Sequence, residues 1–324
     1  MSLLQDLLLK ASRTFTIGIN RLPAVLRESV TVAYLLLRVS DYFEDNEVMK
    51  AQEKVEALLL WDRVLAGAAE TAELVSRVLP EAENPDAEVA QHTVEILDRL
   101  HRFPAMVQEI IIKHVSYSTR GMAYWVNRGP IVNDETDLDN YMFEVAGRVG
   151  YLLTDLFSWY SATIRRKKDL IMPLAREFGL ALQTVNVIRG LREDFERGWV
   201  FVPAIYCSAV QLSPDQLFQA DHSTEALKVL DMLVQKAEGH LRNALTYIQA
   251  LPVWQHGIRL FCIFPFLFAV RTLAVSRANI QVFESEVRIT RDEVKRIVVA
   301  STLWGWSNSW LTRYTARLQL ASAL

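Results

Sequence analysis

Asp41, Glu44 and Asp45 stand at i, i+3 and i+4 at the end of an apolar run, Tyr34-Leu35-Leu36-Leu37-Arg38-Val39. A helix through them gathers the three carboxylates on one face. Carboxylates held that close repel one another unless a cation lies between them. Mg²⁺ suits that place, because it takes oxygen ligands and commonly shares them with substrate phosphates. A solvated acidic helix end has the same spacing, so the cluster gains meaning only from a second one far downstream. There Gln183, Asn186, Gly190 and Asp194 step along one helix stripe at intervals of three and four, with Glu193 beside them. Asn and Gln add little helix propensity, so a polar line amid Val, Ile and Leu points to use. An ordinary amphipathic surface helix is the plain alternative. Two facing acidic helices in apolar surroundings would build a cavity with metal at its mouth.

The elements that position these residues follow from the punctuation. Apolar residues recur at three and four along most of the chain, and no alternating strand pattern is found. The expectation is an all-α, single-domain protein over residues 1–324, of roughly a dozen helices. Pro23, Pro104, Pro203 and Pro214 sit at turns or first helical positions. Asn84-Pro85-Asp86 and Ser213-Pro214-Asp215 read as helix starts, and Gly129-Pro130 closes the helix that begins after Pro104. A long helix is expected from Asn133 to Tyr160, with small residues at Ala146, Gly147 and Gly150. Glycine within a helix costs about 1 kcal/mol against alanine, so these allow close approach by another helix or by a ligand chain.

Half the chain, 51%, is apolar, which supplies one large core. The net charge of −3 argues against a nucleic-acid surface. Cys207 and Cys262 lie in apolar context and read as buried thiols of a reducing, cytoplasmic compartment rather than a disulfide. The six histidines have no metal-ligand spacing. No secretory pattern opens the chain, because Asp6 and Arg13 interrupt the first apolar stretch. The longest uncharged apolar run, Leu260 to Val270, is bounded by Arg259 and Arg271 and falls short of a spanning helix. It reads as a core helix or as the wall of an apolar cavity.

Taken in order, the motifs resemble the squalene and phytoene synthase family of head-to-head prenyl synthases. Ser12-Arg13-Thr14-Phe15 is similar to the family's Ser-Arg-x-Phe signature. Tyr34-x-x-x-Arg38-x-x-Asp41-x-x-Glu44-Asp45 resembles its first aspartate-rich motif, and Tyr141 to Gly150 its Tyr-x-x-x-Val-Ala-Gly-x-Val-Gly segment. Gln183-x-x-Asn186-x-x-Arg189, followed by Glu193-Asp194, Arg197-Gly198 and Pro203, resembles the second motif. Tyr247-x-x-Ala250-Leu251-Pro252 and Arg259 to Cys262 with Pro265 are similar to a late segment of bacterial members.

The resemblance implies an isoprenoid synthase bundle with a central apolar cavity and a Mg²⁺-dependent prenyltransferase. Its partners would be two allylic diphosphates, farnesyl or geranylgeranyl, joined through a cyclopropylcarbinyl diphosphate. Carried over by position, Asp41, Glu44, Asp45, Asn186 and Asp194 would serve metal. Arg38, Arg189, Ser12, Arg13 and Gln183 would serve diphosphate, and Tyr34, Tyr141 and Tyr247 would line the reaction centre. NADPH use and a peripheral membrane location are compatible with the family. One departure stands out: the second motif carries an aspartate after its arginine, and this chain has Gly190. That leaves room for two alternatives, altered chemistry on prenyl diphosphates or a non-catalytic prenyl-lipid-binding or assembly protein.

Overall fold

Prolines and short polar side chains start the helices where expected. Asn84 caps the helix opened by Pro85, its Oδ1 accepting from the amides of Asp86 (2.9 Å) and Ala87 (3.4 Å). Pro23, Pro104 and Pro203 each precede a helix. Ser213-Pro214, read as a helix start, opens a 3₁₀ turn, Pro214–Phe218, and the next α-helix begins at Ser223. The computed structural model describes residues 2–79 and 84–320, which form α-helices and no strand. Among the described residues there are eighteen α-helices rather than a dozen, because turns split several stretches that share one periodicity.

The residues gather into two compact units, Met1–Gly129 with Tyr151–Lys168, and Pro130–Gly150 with Asp169–Leu324. The first holds α1 (Leu3–Ala11), α2 (Arg13–Ile19), α3 (Ala24–Asp45), α4 (Ala51–Leu65), α5 (Thr71–Val75), α6 (Pro85–Gln91), α7 (Thr93–Leu100) and α8 (Ala105–Arg128). The second starts with α9 (Glu135–Met142); α10 (Arg148–Tyr160) then returns the chain to the first unit, where α11 (Ala162–Arg165) follows. α12 (Lys168–Arg189), α13 (Leu191–Glu196), α14 (Ala204–Ala209), α15 (Ser223–Ala250), α16 (His256–Ser276), α17 (Arg291–Trp304) and α18 (Asn308–Leu320) complete the second unit.

In the first unit α3 is the central element, packed by α1, α4, α6, α7 and α8. It runs 22 residues without Gly or Pro and buries both its apolar and its small polar side chains. Ser40 lies 2.8 Å from the Thr119 hydroxyl and accepts the indole N–H of the fully buried Trp61 (3.1 Å), which fixes α3 against α4 and α8. Such satisfied polar groups inside a core specify one packing.

In the second unit the expected single helix from 133 to 160 is interrupted by a π-helical segment, Phe143–Gly147. The Phe143 ring folds over Gly147, where a Cβ would lie 2.5 Å from the ring. Arg148 and Arg176 each place a guanidinium over that ring, at 4.8 and 5.6 Å. The small residues serve a helix rather than a ligand chain. A Cβ on Gly150 would meet the Ala175 carbonyl at 2.0 Å, and one on Gly179 the Ala146 carbonyl at 2.3 Å, so α12 crosses this segment backbone against backbone.

α16 is 21 residues long and buried all round, with α15, α17 and α18 packed on it. It is long and apolar enough by length and composition to cross a membrane, and 83% of that window is buried inside the fold. It exceeds the Leu260 to Val270 run because both bounding arginines are absorbed into it. Arg259 is fully buried. It donates to the carbonyls of Ile248 (2.7 Å), Leu251 (2.9 Å) and Gly305 (3.1 Å) and to Asn308 Oδ1 (2.7 Å). Three of those acceptors are main-chain, and two close the C-terminal end of α15, where a cation is favoured by the helix dipole. Arg271 donates to Glu293 at 2.6 Å. A second buried ionic cluster joins α9, α12 and α15: His240 lies 2.7 Å from Glu177 and 3.6 Å from Asp139, and Lys236 lies 2.7 Å from Asp139. Cys207 and Cys262 are free and buried, and burial pushes their thiols up to about 11 and about 12.

Candidate active site

The first motif ends α3. Three carboxylates in the last turns oppose the helix dipole, and no basic residue lies in the last turn to offset them. The nearest compensation is Arg38, one turn back, which donates to Asp41 at 2.8 Å and binds Asp86 of α6 through two nitrogens. Lys54 adds a second cation, donating to the Glu44 carbonyl at 2.9 Å. Burial pushes the Asp41 carboxyl up to about 6; Arg38 pulls it down, and repulsion from Asp45 and Asp86 adds to the rise. Burial would lower the Arg38 guanidinium, but Asp41 and Asp86 outweigh that and hold it above its ordinary value. The site is therefore rich in carboxylate oxygens, with Arg38 and Lys54 among them.

Ser12 and Tyr34 join the same cluster. The Ser12 hydroxyl caps α2, accepting from the Phe15 amide at 3.2 Å, and also hydrogen-bonds the Tyr34 phenol. Phe15 packs on the Tyr34 ring with centroids 5.7 Å apart. Burial raises the Tyr34 phenol above its ordinary value, so it remains a proton donor at neutral pH. Arg13 opens α2; its side chain lies outside the described part. Ser12, Tyr34, Arg38, Asp41 and Asp86 thus meet in one unit. Asp86 is the residue that sequence reasoning missed. It was read only as part of a helix start, where an acid is satisfied locally, and nothing in the spacing ties it to Arg38.

The second motif lies in the other unit. The stripe from Gln183 to Asp194 does not sit on one unbroken helix: α12 ends at Arg189 and α13 begins at Leu191, with Gly190 between them at φ −100° and ψ 9°. Amide bonds from Gly190 to Asn186 (3.0 Å) and from Asp194 to Gly190 (2.9 Å) carry the helical spacing across the break. A Cβ at position 190 would lie 3.7 Å from Asp194 Oδ2, so this position faces the Asp194 carboxylate. Gln183 Oε1 accepts from Asn186 Nδ2 at 3.4 Å. Arg197 is ion-paired with Asp194. Arg189 lies 3.6 Å from Glu286, a mostly buried carboxylate that also pairs with Arg288 and comes from a loop no motif marked. Tyr141 stacks on Phe201 at 4.4 Å, and Tyr247, buried, tilts against Phe178 at 5.5 Å. Arg148 is ion-paired with Glu144 one turn earlier.

Among the described residues no three His, Cys, Asp or Glu side chains converge as a ready-made cation cage. The donors are nonetheless of the right kind. Asp41, Asp45 and Asn186 with Asp194 offer few hard oxygens at each motif, which suits Mg²⁺ that completes its shell with water and substrate phosphate. Cavities of about 510 Å³ beside Arg27, Thr31 and Arg99, and about 680 Å³ beside Thr224 and Asp231, contain no residue of either motif.

The squalene/phytoene synthase family profile matches residues 8–293. The chain belongs to the squalene/phytoene synthase family. It is 30% identical over 306 residues to the squalene synthase of Schizosaccharomyces pombe, covering 91% of this chain and 64% of that protein. The squalene synthase of Nicotiana benthamiana is 29% identical over 302 residues, covering 90% of this chain and 68% of that one. The chain thus spans about two thirds of the length of these squalene synthases. The solved structure of TcSQS with the ligand E5700 superposes with a TM-score of 0.84 at 25% identity, covering 97% of this chain and 90% of that chain. The all-α isoprenoid synthase architecture of the family is therefore the architecture of this chain.

Proposed function

We propose that this protein joins two allylic prenyl diphosphates head to head, in a Mg²⁺-dependent reaction. Family membership across residues 8–293 supports the reaction class. The observation that carries the site assignment is the Arg38 guanidinium held between Asp41 and Asp86, with Asp45 near enough to repel Asp41, whose carboxyl burial pushes up to about 6. Carboxylates crowded in this way are the hard oxygen donors that a divalent cation shares with a diphosphate. Bound Mg²⁺ would neutralise charge on the leaving group as the allylic C–O bond breaks.

The chain's own groups would do the rest. Arg38 of the first unit, and Arg189 of the second, would each serve a diphosphate, donating to its oxygens and stabilising the charge that develops as diphosphate departs with the bonding pair. The second substrate's double bond would attack the allylic cation, and transfer of a proton to the released diphosphate would close a cyclopropane that keeps the second diphosphate. Tyr34 of the first unit, and Tyr141 and Tyr247 of the second, are the tyrosines the family resemblance would assign to lining a cationic centre. Tyr34, raised by burial, holds its phenolic proton and acts as a dipole rather than as an anionic base. Asp86 positions Arg38 by holding its other edge.

A second reading, altered chemistry on the same substrates, rests on Gly190, whose missing carboxylate would have faced Asp194. Both readings are tested by incubating purified protein with Mg²⁺ and farnesyl or geranylgeranyl diphosphate, with and without NADPH, and identifying products. A C–C coupled product in wild type, absent in Asp41→Ala of unchanged melting temperature, is expected. No diphosphate release from either substrate would overturn both readings in favour of a non-catalytic protein.

A further inference from the structure

A cavity of about 510 Å³ lies within the first unit, where the start of α1 meets the first turns of α3 and the end of α7. Small-molecule sites commonly enclose about 300 to 1,000 Å³. Arg27 on its wall and Asp41 share α3, and at about 1.5 Å per residue they stand about 21 Å apart along that helix. The cavity is thus separate from the acidic motif.

Two groups on its wall lack partners that a folded interior ordinarily supplies. Thr31 is only 6% exposed, yet its hydroxyl makes no hydrogen bond among the described residues. Hydroxyls within helices commonly bond back to the carbonyl four residues earlier. Ser29, two residues before, does so to Val25 at 2.9 Å, and Thr31 does not. Arg27 stands one turn before Thr31 on the same face of α3. It donates Nη2 to the Leu22 carbonyl at 3.2 Å, and its Nε is buried with no partner. Native proteins leave few buried polar groups in that state.

The charges around them are uneven. Arg99 is ion-paired with Glu28, and Glu95 with His92. Among the described residues Arg27, Arg102 and Asp98 form no ion pair, so unpaired cations outnumber unpaired carboxylates on this wall two to one. The N-terminus of the nine-residue α1 adds to the positive side. Ser2 makes no side-chain cap there, which leaves the first amides of α1 open at the positive end of its dipole. Leu3, Leu4 and Val32 complete the wall with apolar surface.

We infer that this cavity binds a phosphate group, either free or carried by a small organic ester. Arg27 and Arg102 supply charged donors, Thr31 a hydroxyl, and the start of α1 its open amides. These donors come from three elements, which suits the several oxygens of a tetrahedral anion better than the two of a carboxylate. Leu3, Leu4 and Val32 would cover a short hydrocarbon body. A cation fits poorly, because it would face two unpaired arginines.

Calorimetric titration of the full chain tests the inference, with inorganic phosphate and with butyl phosphate, in EDTA at constant ionic strength. Losing one hydrogen bond to a charged group costs about a factor of ten or more, so Arg102→Gln should weaken binding about tenfold. Thr31→Val keeps nearly the same shape without the hydroxyl. It should weaken binding and also raise the melting temperature of the free protein, because a buried unpaired polar group is gone. A hydroxyl serving packing alone would not move these two readouts in opposite directions. Asp98→Asn should tighten binding, since it removes the carboxylate facing the anion. Arg38→Gln alters the far end of α3 and should leave the affinity unchanged. Tighter binding of butyl phosphate would identify the organic ester as the ligand, and equal affinities the free ion; both uphold the site. No binding at millimolar phosphate would overturn the inference. So would binding that Arg102→Gln and Thr31→Val leave unchanged, or that Arg38→Gln abolishes, since the anion would then lie elsewhere. None of these outcomes depends on the catalytic reading.

Discussion

Gly190→Asp tests the second motif directly. Gly190 has negative φ, so an aspartate needs no left-handed backbone, although its Cβ would press on the Asn186 carbonyl at 3.2 Å. Its propensity gain is only a few tenths of a kcal/mol (roughly 0.3). Its carboxylate would point at Asp194, since the Cβ would start 3.7 Å from Asp194 Oδ2. Like charges about 5 Å apart at an effective dielectric of about 20 repel by about 3 kcal/mol. Arg197, ion-paired with Asp194 and partly exposed, offsets roughly half of that. The variant should therefore lose about 1.5 kcal/mol, or about 3 to 6 °C in melting temperature, without divalent cation. Mg²⁺ at millimolar concentration should return that loss and stabilise the variant more than wild type, because ligand binding to the folded state adds to its stability. Differential scanning fluorimetry across a Mg²⁺ series, with and without farnesyl diphosphate, reads both effects. A variant that melts like wild type and responds to Mg²⁺ identically would refute the reasoning. Position 190 would then share no site with Asp194.

Three other outcomes follow from the packing and the charges. Arg259→Met should cost about 3 to 5 kcal/mol in urea unfolding, because it strands three buried carbonyls and Asn308; a loss below about 1 kcal/mol would mean that water or Asn308 replaces the guanidinium. Gly179→Ala should cost about 3 kcal/mol, since its Cβ meets main-chain atoms that cannot turn aside, whereas Gly67→Ala, in open space at positive φ, should cost about 1 kcal/mol from backbone strain alone. His240 is held above its ordinary value because Asp139 and Glu177 outweigh the effect of burial. Its stabilisation is complete below about pH 6.5 and is lost as pH rises through its folded value, while that of Asp139 and Glu177, both lowered, is lost on acidification below about pH 4. The stability gap between wild type and His240→Gln should thus be widest between those limits and narrow towards pH 9, and a gap that widens with alkalinity would contradict it.

Much of the fold was legible because its punctuation is local. Asn84, Pro23, Pro104 and Pro203 act on backbone atoms within four residues, so their meaning does not depend on tertiary context. The acidic motif was legible for a similar reason, since i, i+3 and i+4 fix a face whatever surrounds the helix. What the sequence hid is long-range or cooperative. The grip of Asp86 on Arg38 spans 48 residues, and Glu286 reaches Arg189 from a loop without periodicity. The π segment arises because Phe143 must clear Gly147 while α12 presses on Ala146, which no single helix announces. The break at Gly190 was concealed because polar spacing continues through it.

The backbone crossing of α12 at Ala146, Gly150, Ala175 and Gly179 has a mechanical consequence. Where main chain lies on main chain, no side chain intervenes to change rotamer and take up a displacement. Tyr141 lies just before one end of the crossing, and Gln183 and Asn186 lie one to two turns beyond the other on α12. Those side chains therefore behave as points on one stiff strut, and their spacing persists through thermal motion. Compliance within this unit belongs beyond Arg189, where the helix is cut at Gly190 and the short α13 follows. Amide exchange should be slowest along the strut and rise steeply after residue 190. If so, a ligand entering against Asp194 meets a yielding segment carried on an unyielding one, and the yielding segment is the part left free to adjust to what it binds.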